Sequence, residues 1–493
     1  MLEGFHRSRV LCVGDVMLDR FSYGRVERVS DEAPIQILHV GSQRSMLGGA
    51  GNVVRNVVAL GARAILIAVT GDDDSAREID ELAESEERLE QRLVVDPSRP
   101  TTVKTRFIAE GQQLLRADSE STDPVGEETT RRLIEAIAAE LRHADVMVLS
   151  DYMKGVLTDE LLSVAIAKAK VAGVPVIVDP KREDFSVYSG ATVLKPNRAE
   201  LEAGGRQACQ TDAEIELAAR GVARDCRIDA VLVTRSQQGM SLIRPDCEAL
   251  HLRAKALEVS DVSGAGDTVV ATTAVALASG AALHSAAELA NIAGGIVVGK
   301  LGTAVVSREE LGAALIAADA SATEAKVKSA EAAYLDVQRW RKKGCRIGFT
   351  NGCFDLLHPG HISLLTEAKS HCDRLIVGLN SDESVKRLKG SDRPVQPEAA
   401  RAIVLASMNV VDRVVIYSDD TPIPLLYLLE PDVLIKGGDY TIDEVIGGDV
   451  VQGYGGVVKI ASLAPGHSSS EVIAKMSAKS RRSTSGLSGW NQT

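Results

Sequence analysis

Asp261-Val-Ser-Gly-Ala-Gly-Asp267-Thr268 leads into a run of small and β-branched residues, 269–278, of helical length. Two glycines permit a tight turn, and the helix that follows aims its unpaired N–H groups and positive dipole end into that turn. A phosphoryl group is the natural occupant. Asp267 stands at the mouth, where a carboxylate can take the proton of an attacking hydroxyl. The competing reading is an ordinary turn with Asp267 as a helix cap. Working outward, short aliphatic runs at 9–14, 64–70, 145–150, 174–179, 191–194 and 230–234 alternate with amphipathic stretches such as 129–142 and 159–172. Strand alternating with helix requires crossover connections, so the expected fold class is α/β with a mainly parallel, doubly wound sheet. Residues 33–40 and 101–109 alternate without a following helix and predict a small antiparallel β flap.

The composition agrees. The 493 residues suit two to four domains, and 3% aromatics with 42 glycines fit aliphatic strands and tight turns. Fifty-six basic against 68 acidic side chains give −12, which argues against nucleic acid or an anionic membrane as partner. Seven cysteines form no C-x-x-C pair, which predicts reduced thiols in the cytoplasm and neither disulfides nor structural zinc. Asp15 and Asp19 interrupt the N-terminal apolar stretch, and no run of ~18 apolar residues follows, so a soluble chain is expected. The acidic stretch 72–90 reads as a solvated helix face. The expected division is a kinase-type domain at 1–318, a helical linker at 319–344, a smaller Rossmann-like α/β domain at 345–476 and a disordered tail at 477–493.

Further elements of the first domain support phosphoryl transfer. Gly48-Gly49-Ala-Gly-Asn52 begins a helix after the flap strand, and Asn52 can present an amide to a polyol. Asp15 and Asp19 follow the first strand, at the carboxyl end where open α/β sheets bind ligands. Lys195-Pro-Asn197-Arg-Ala-Glu200 follows another strand, and its Asn and Glu oxygens can hold Mg²⁺ directly or through water. Together these motifs resemble the ribokinase-like sugar kinases. The resemblance implies Asp267 as catalytic base, and Gly264, Ala265 and Gly266 as the anion hole. It places Asn197 and Glu200 near Mg²⁺, and Asp15, Asp19, Gly48, Gly49 and Asn52 about the sugar. ATP would lie along Thr234, Ser236, Gly239 and Asn291, with Asn197 beside it. Lys181 either steadies a phosphate or is a surface charge.

In the second domain, Gly348-Phe-Thr-Asn-Gly-Cys-Phe-Asp355-Leu-Leu-His358-Pro-Gly-His361 sets two histidines i, i+3 at a helix start, on one side of the first turn. No Cys or carboxylate stands at metalloprotease spacing, so two imidazoles stabilising an α-phosphate in nucleotidyl transfer are favoured over a zinc site. This run resembles the cytidylyltransferase-like nucleotidyltransferases. The resemblance implies His358, His361 and Lys389 as catalytic. It implies a nucleotide site from Thr350, Asn351, Gly352, Phe354, Asp355, Arg401, Lys436, Gly438, Asp439, Ser469 and Ser470. Cys353 reads as a packing residue. The stretch His467 to Ser470 lacks the arginine that usually follows it in the family.

The two halves in this order, with Val29-Ser-Asp-Glu-Ala-Pro34, Ser150-Asp-Tyr152 and Lys300-Leu-Gly-Thr303, resemble the bacterial family of bifunctional heptose 7-phosphate kinases and heptose 1-phosphate adenylyltransferases. That implies ADP-heptose synthesis for lipopolysaccharide, ATP for both reactions, Mg²⁺, and a homodimer through the kinase lid. Two alternatives stand beside it: another sugar phosphate or CTP as substrate, and a non-enzymatic nucleotide sensor.

Overall fold

A computed structural model describes residues 2–254, 261–300, 302–438 and 440–461. The chain divides between Leu315 and Ile316 into two compact units.

The first unit is built on a nine-stranded sheet. In spatial order its strands are Leu250–Leu252, Met240–Ile243, Ala230–Thr234, Val193–Leu194, Val176–Asp179, Val146–Ser150, Arg9–Gly14, Arg63–Thr70 and Leu89–Val95. All pairs are parallel except those made by Met240–Ile243. Side chains alternate between faces: Val10 and Cys12 enter one core, Leu11 and Val13 the other. Strand order reverses at Arg9–Gly14, and the register aligns Gly14 with Ser150 and Ser150 with Asp179. The carboxyl ends of these strands thus deliver Asp15, Asp151, Asp179 and Lys195 to one edge.

Above that edge lies a four-stranded lid, ordered Gln36–Gly49, Val16–Val29, Val103–Ala109 and Gln112–Ser119. The expected flap is therefore twice as large and not wholly antiparallel, since Val16–Val29 runs parallel to Val103–Ala109. The reason is topological. Val16–Val29 continues straight out of the central strand, with only Asp15 between them, while Val103–Ala109 arrives after the edge strand Leu89–Val95. The acidic stretch contains the helix Asp74–Glu84, of which only Ile79 and Ala83 are buried.

The second unit carries a six-stranded, all-parallel sheet in the order Val327–Lys328, Arg413–Tyr417, Arg374–Asn380, Ile347–Gly352, Val433–Gly437 and Val457–Ala461. Residues 319–344, expected as a linker, instead carry structure of this unit. Val327–Lys328 is its edge strand, and the helix Ala330–Lys342 buries Ala333 and Val337 in its core. Arg413 donates to the buried Asp336 at 2.6 Å, fixing that helix to the sheet. No helix among the described residues is long and apolar enough to cross a membrane. The expected tail at 477–493 lies outside the described residues.

Candidate active sites

In the first unit the helix Ala265–Ala278 starts at Gly264, whose φ of 79° places it in the left-handed region, and no side chain caps the helix. Its first turn carries Asp267. Asn52 Nδ2 donates to Asp267 Oδ2 at 2.6 Å, and the Tyr152 hydroxyl donates to Oδ1 at 2.7 Å. The next residue, Thr268, donates at 2.8 Å to Oδ1 of Asn56, one turn beyond Asn52, so the helices Ala50–Ala59 and Ala265–Ala278 are joined by two polar pairs. Burial and the neighbouring Asp179 push the Asp267 carboxyl up to about 6, against the pull of Asn52, Tyr152 and Lys195. Lys195 Nζ lies 2.8 Å from Asp179 Oδ1, and a Cβ at Gly266 would sit 3.1 Å from that amine. Burial opposes the Lys195 charge, but Asp179, Glu200 and Asp267 together raise its pKa, so the ammonium persists beside the open helix end.

Two clefts meet here. One, of about 240 Å³, is lined by Tyr152, Asp179, Lys181, Lys195, Glu200 and Asp267. The other, of about 440 Å³, includes Ser236, Gly239, Ala265 and Asn291. Thr234 and Gly266 line both, so a chain of phosphates can pass across the helix start from one cleft to the other.

Several expected residues serve otherwise. Asp15 is buried, and its carboxylate accepts backbone N–H bonds from Tyr152, Lys154 and Val156 at 2.8, 3.1 and 3.3 Å. Asn197 caps its helix by accepting from Glu200 N, while Glu200 Oε2 accepts from Asn197 N, each at 2.9 Å. The Asn197 carbonyl oxygen is therefore committed, and Glu200 Oε1, 3.1 Å from Lys181 Nζ, is the oxygen left facing the cleft. Among the described residues no group of three His, Cys, Asp or Glu is placed to cage a metal. That donor set fits a hydrated Mg²⁺ carried on phosphates, not a protein-caged ion. Asp19 on the lid accepts from Arg106 Nη1 at 2.5 Å. A Cβ at Gly48 would overlap the Asp19 carboxylate, and Gly49 turns the chain into the helix at a φ of 58°. Tyr152, Asp179 and Lys195 were not among the expected site residues. The signal for them was their position just past a strand's carboxyl end.

In the second unit His358 caps the helix Pro359–Ser370, and His361 follows in its first turn. Both lie on one side of the turn, as the i, i+3 spacing predicts, and their rings stack with centroids 3.9 Å apart. Phe354, at a φ of 43°, packs its ring 5.1 Å from His361. Burial, His358 and Lys389 lower His361 to about 4, so it is a neutral imidazole at pH 7. The two histidines line a cleft of about 470 Å³ with Asn351, Gly352, Asp355, Lys389, Lys436 and Tyr440 among its other walls. Lys436 donates to Asn351 O at 3.0 Å and lies 5.3 Å from the Tyr440 ring centre; burial lowers it to about 8.

Three residues expected on the nucleotide are placed differently. Arg401 is fully buried and donates to Cys353 O, Asn380 O, Gln396 O and Asp382 Oδ1 at 2.6–3.0 Å, tying loops together instead of clamping phosphate. Thr350 is buried within its strand, and Gly438 stands beyond the lining residue Gly437. Asp355, though at the cleft wall, spends its carboxylate on Arg393 and on the backbone N–H groups of Val395 and Gln396. Asp439, Ser469 and Ser470 lie outside the described residues.

The pfkB family of carbohydrate kinases matches residues 7–310, and the cytidylyltransferase-like family matches 349–475. The first unit's fold is also that of phosphofructokinase-2 from Escherichia coli in complex with potassium. That match has a TM-score of 0.54 and 21% identity, and covers 62% of this chain and 97% of that one. The protein is thus a sugar kinase joined to a nucleotidyltransferase. A protein named Bifunctional protein HldE in Paramagnetospirillum magneticum is 55% identical over 96% of this chain and 97% of its own. Those of Rhodospirillum rubrum and Caulobacter vibrioides are 54% and 52% identical, covering 97% and 96% of this chain and 96% and 98% of theirs. The chain belongs to the family of bifunctional HldE proteins.

Proposed function

We propose that the first unit transfers the γ-phosphate of ATP to O1 of D-glycero-D-manno-heptose 7-phosphate, and that the second joins heptose 1-phosphate to ATP, giving ADP-heptose and pyrophosphate. A separate phosphatase removes the 7-phosphate between the two steps. The observation that carries the kinase reading is Asp267, ionisable near neutral pH, set at an uncapped helix start beside the Lys195 ammonium. ATP enters by the cleft of Ser236, Gly239 and Asn291, and the sugar by the cleft of Tyr152 and Asp267. As the sugar oxygen bonds to the γ-phosphorus, Asp267 takes its proton, and ADP leaves with the electrons of the broken P–O bond. Lys195 and the backbone N–H group of Gly266 neutralise the passing charge, the Ala265 N–H being given to the Val262 carbonyl at 3.3 Å. Glu200 would hold Mg²⁺ through water; when bound, the ion shields the β- and γ-phosphates.

The sugar's own phosphate meets the lid. Arg44, Phe21 and Arg106 stand in one cross-strand row and therefore share a face, and Arg106 lies 5.0 Å from the Phe21 ring centre. Exposed Tyr23, Val40, Leu114 and Leu115 on the lid support a homodimer formed there. In the second unit, His358 and the neutral His361 donate to the α-phosphate while Lys389 and Lys436 counter the remaining charge. Both reactions use cytoplasmic ATP.

The test supplies the full chain with ATP and heptose 7-phosphate, and separately with heptose 1-phosphate and either ATP or CTP. ADP with heptose 1,7-bisphosphate, and pyrophosphate only with ATP, are expected. Pyrophosphate only with CTP would overturn the adenylyl assignment.

A further inference from the structure

Both oxygens of the Asp267 carboxylate are occupied, by two donors of different character. Oδ2 takes the amide of Asn52, a buried side chain whose own oxygen is approached by Arg55 Nη1 at 3.4 Å. Oδ1 takes the phenol of Tyr152, which lines the sugar cleft. Tyr152 belongs to a loop gripped from beneath by the buried Asp15, whose carboxylate collects the alternate N–H groups of Tyr152, Lys154 and Val156. A carboxylate collecting that many backbone donors fixes the loop as firmly as a short helix cap would.

We infer that Tyr152 is a positioning residue of the phosphoryl transfer, holding the Asp267 carboxylate turned toward the sugar hydroxyl and in its ionised form, and that Asp15 acts one step behind it by fixing the Tyr152 loop. The inference rests on the reading of Asp267 as the base. Burial and the Asp267 and Asp179 charges keep the phenol protonated, so it serves only as a donor. The other groups facing Asp267 come from three directions: Asp179 and Lys195 from the sheet edge, Asn52 from its helix, and the Cys12 thiol from the central strand. Asp179 disfavours the ionised base and Lys195 favours it, so the phenol hydrogen bond falls on a balanced group and moves its titration measurably.

The experiment is Tyr152→Phe in the full chain, with kcat/KM for sugar phosphorylation measured from pH 5 to 9. Loss of one hydrogen bond to the ionised form is expected to move the acid limb upward by roughly one pH unit. The deficit then approaches tenfold near pH 5, is about fivefold at pH 6 and closes toward pH 9. Substrate ionisations are common to both proteins and cancel. An unchanged urea unfolding of the first unit reports intact folding, and adenylyl transfer by the same chain is expected unchanged. Asp15→Asn is expected to reproduce the shift in smaller measure. A loss equal at every pH, or none, overturns the inference. The Asp267 carboxyl titration, followed without substrate by carbon-13 NMR with Asp267→Asn as assignment control, separates the two claims. It shifts upward in Tyr152→Phe if the inference holds, even were heptose 7-phosphate not the substrate; an unmoved titration overturns it.

Discussion

Lys195 Nζ and Asp179 Oδ1 stand 2.8 Å apart with both side chains almost entirely withdrawn from water. Such a pair is costly to break on one side, because the partner is left as an uncompensated buried charge. Lys195→Met is expected to destabilise the first unit by about 3–5 kcal/mol and to abolish sugar phosphorylation. Adding Asp179→Asn should restore most of the stability and none of the activity. Urea unfolding alongside the kinase assay distinguishes the two effects.

Asp267→Asn keeps the shape of the base but cannot accept the proton, so sugar phosphorylation should fall by about 10²–10⁴ while adenylyl transfer is unchanged. His361→Ala removes a donor to the α-phosphate and should do the reverse, by about 10²–10³. Product analysis of both variants settles the matter. If either change silences both reactions in a folded chain, the two sites are not independent.

The Lys436 ammonium, lowered by burial to about 8, loses its proton as pH rises through that value. If its charge steadies the nucleotide, kcat/KM for adenylyl transfer should fall tenfold per unit above pH 8. Lys436→Met should be slower throughout and lack that alkaline limb. A pH profile of pyrophosphate release tests this, and an unchanged limb in the variant would assign it to another group.

Arg401 binds loops, and its removal should therefore appear as lost stability before lost affinity. Four acceptors would be left without their buried cation, so Arg401→Ala should cost the second unit several kcal/mol. Arg401→Lys, unable to reach all four, should recover only part. A variant of wild-type melting temperature with weakened ATP binding would return Arg401 to the phosphates.

The parts readable from sequence are those where one local rule acts alone. The strands at 9–14 and 230–234 are continuous aliphatic runs, and the structure keeps both as Arg9–Gly14 and Ala230–Thr234. The i, i+3 spacing of His358 and His361 places both on one side of the helix start without knowledge of anything else. What escaped reading depends on partners remote in sequence. Val16–Val29 ends in Gly, Arg and Glu residues with no apolar alternation, and is a strand because Gln36–Gly49 and Val103–Ala109 pair with it. Asp15 has the composition of a sugar ligand, and only the arrival of residues 152–156 beside it makes it a loop anchor. Arg401 and Arg393 carry the charge expected of phosphate clamps. Whether such a charge meets a phosphate or an internal carboxylate such as Asp355 is decided by the folded chain alone.

The division of one polypeptide into two units, each with its own sheet and core, fixes a ratio that expression of separate proteins would leave free. Every ribosome that finishes the chain delivers one phosphorylating and one nucleotide-transferring centre. What the fusion secures is therefore matched dosage of two enzymes.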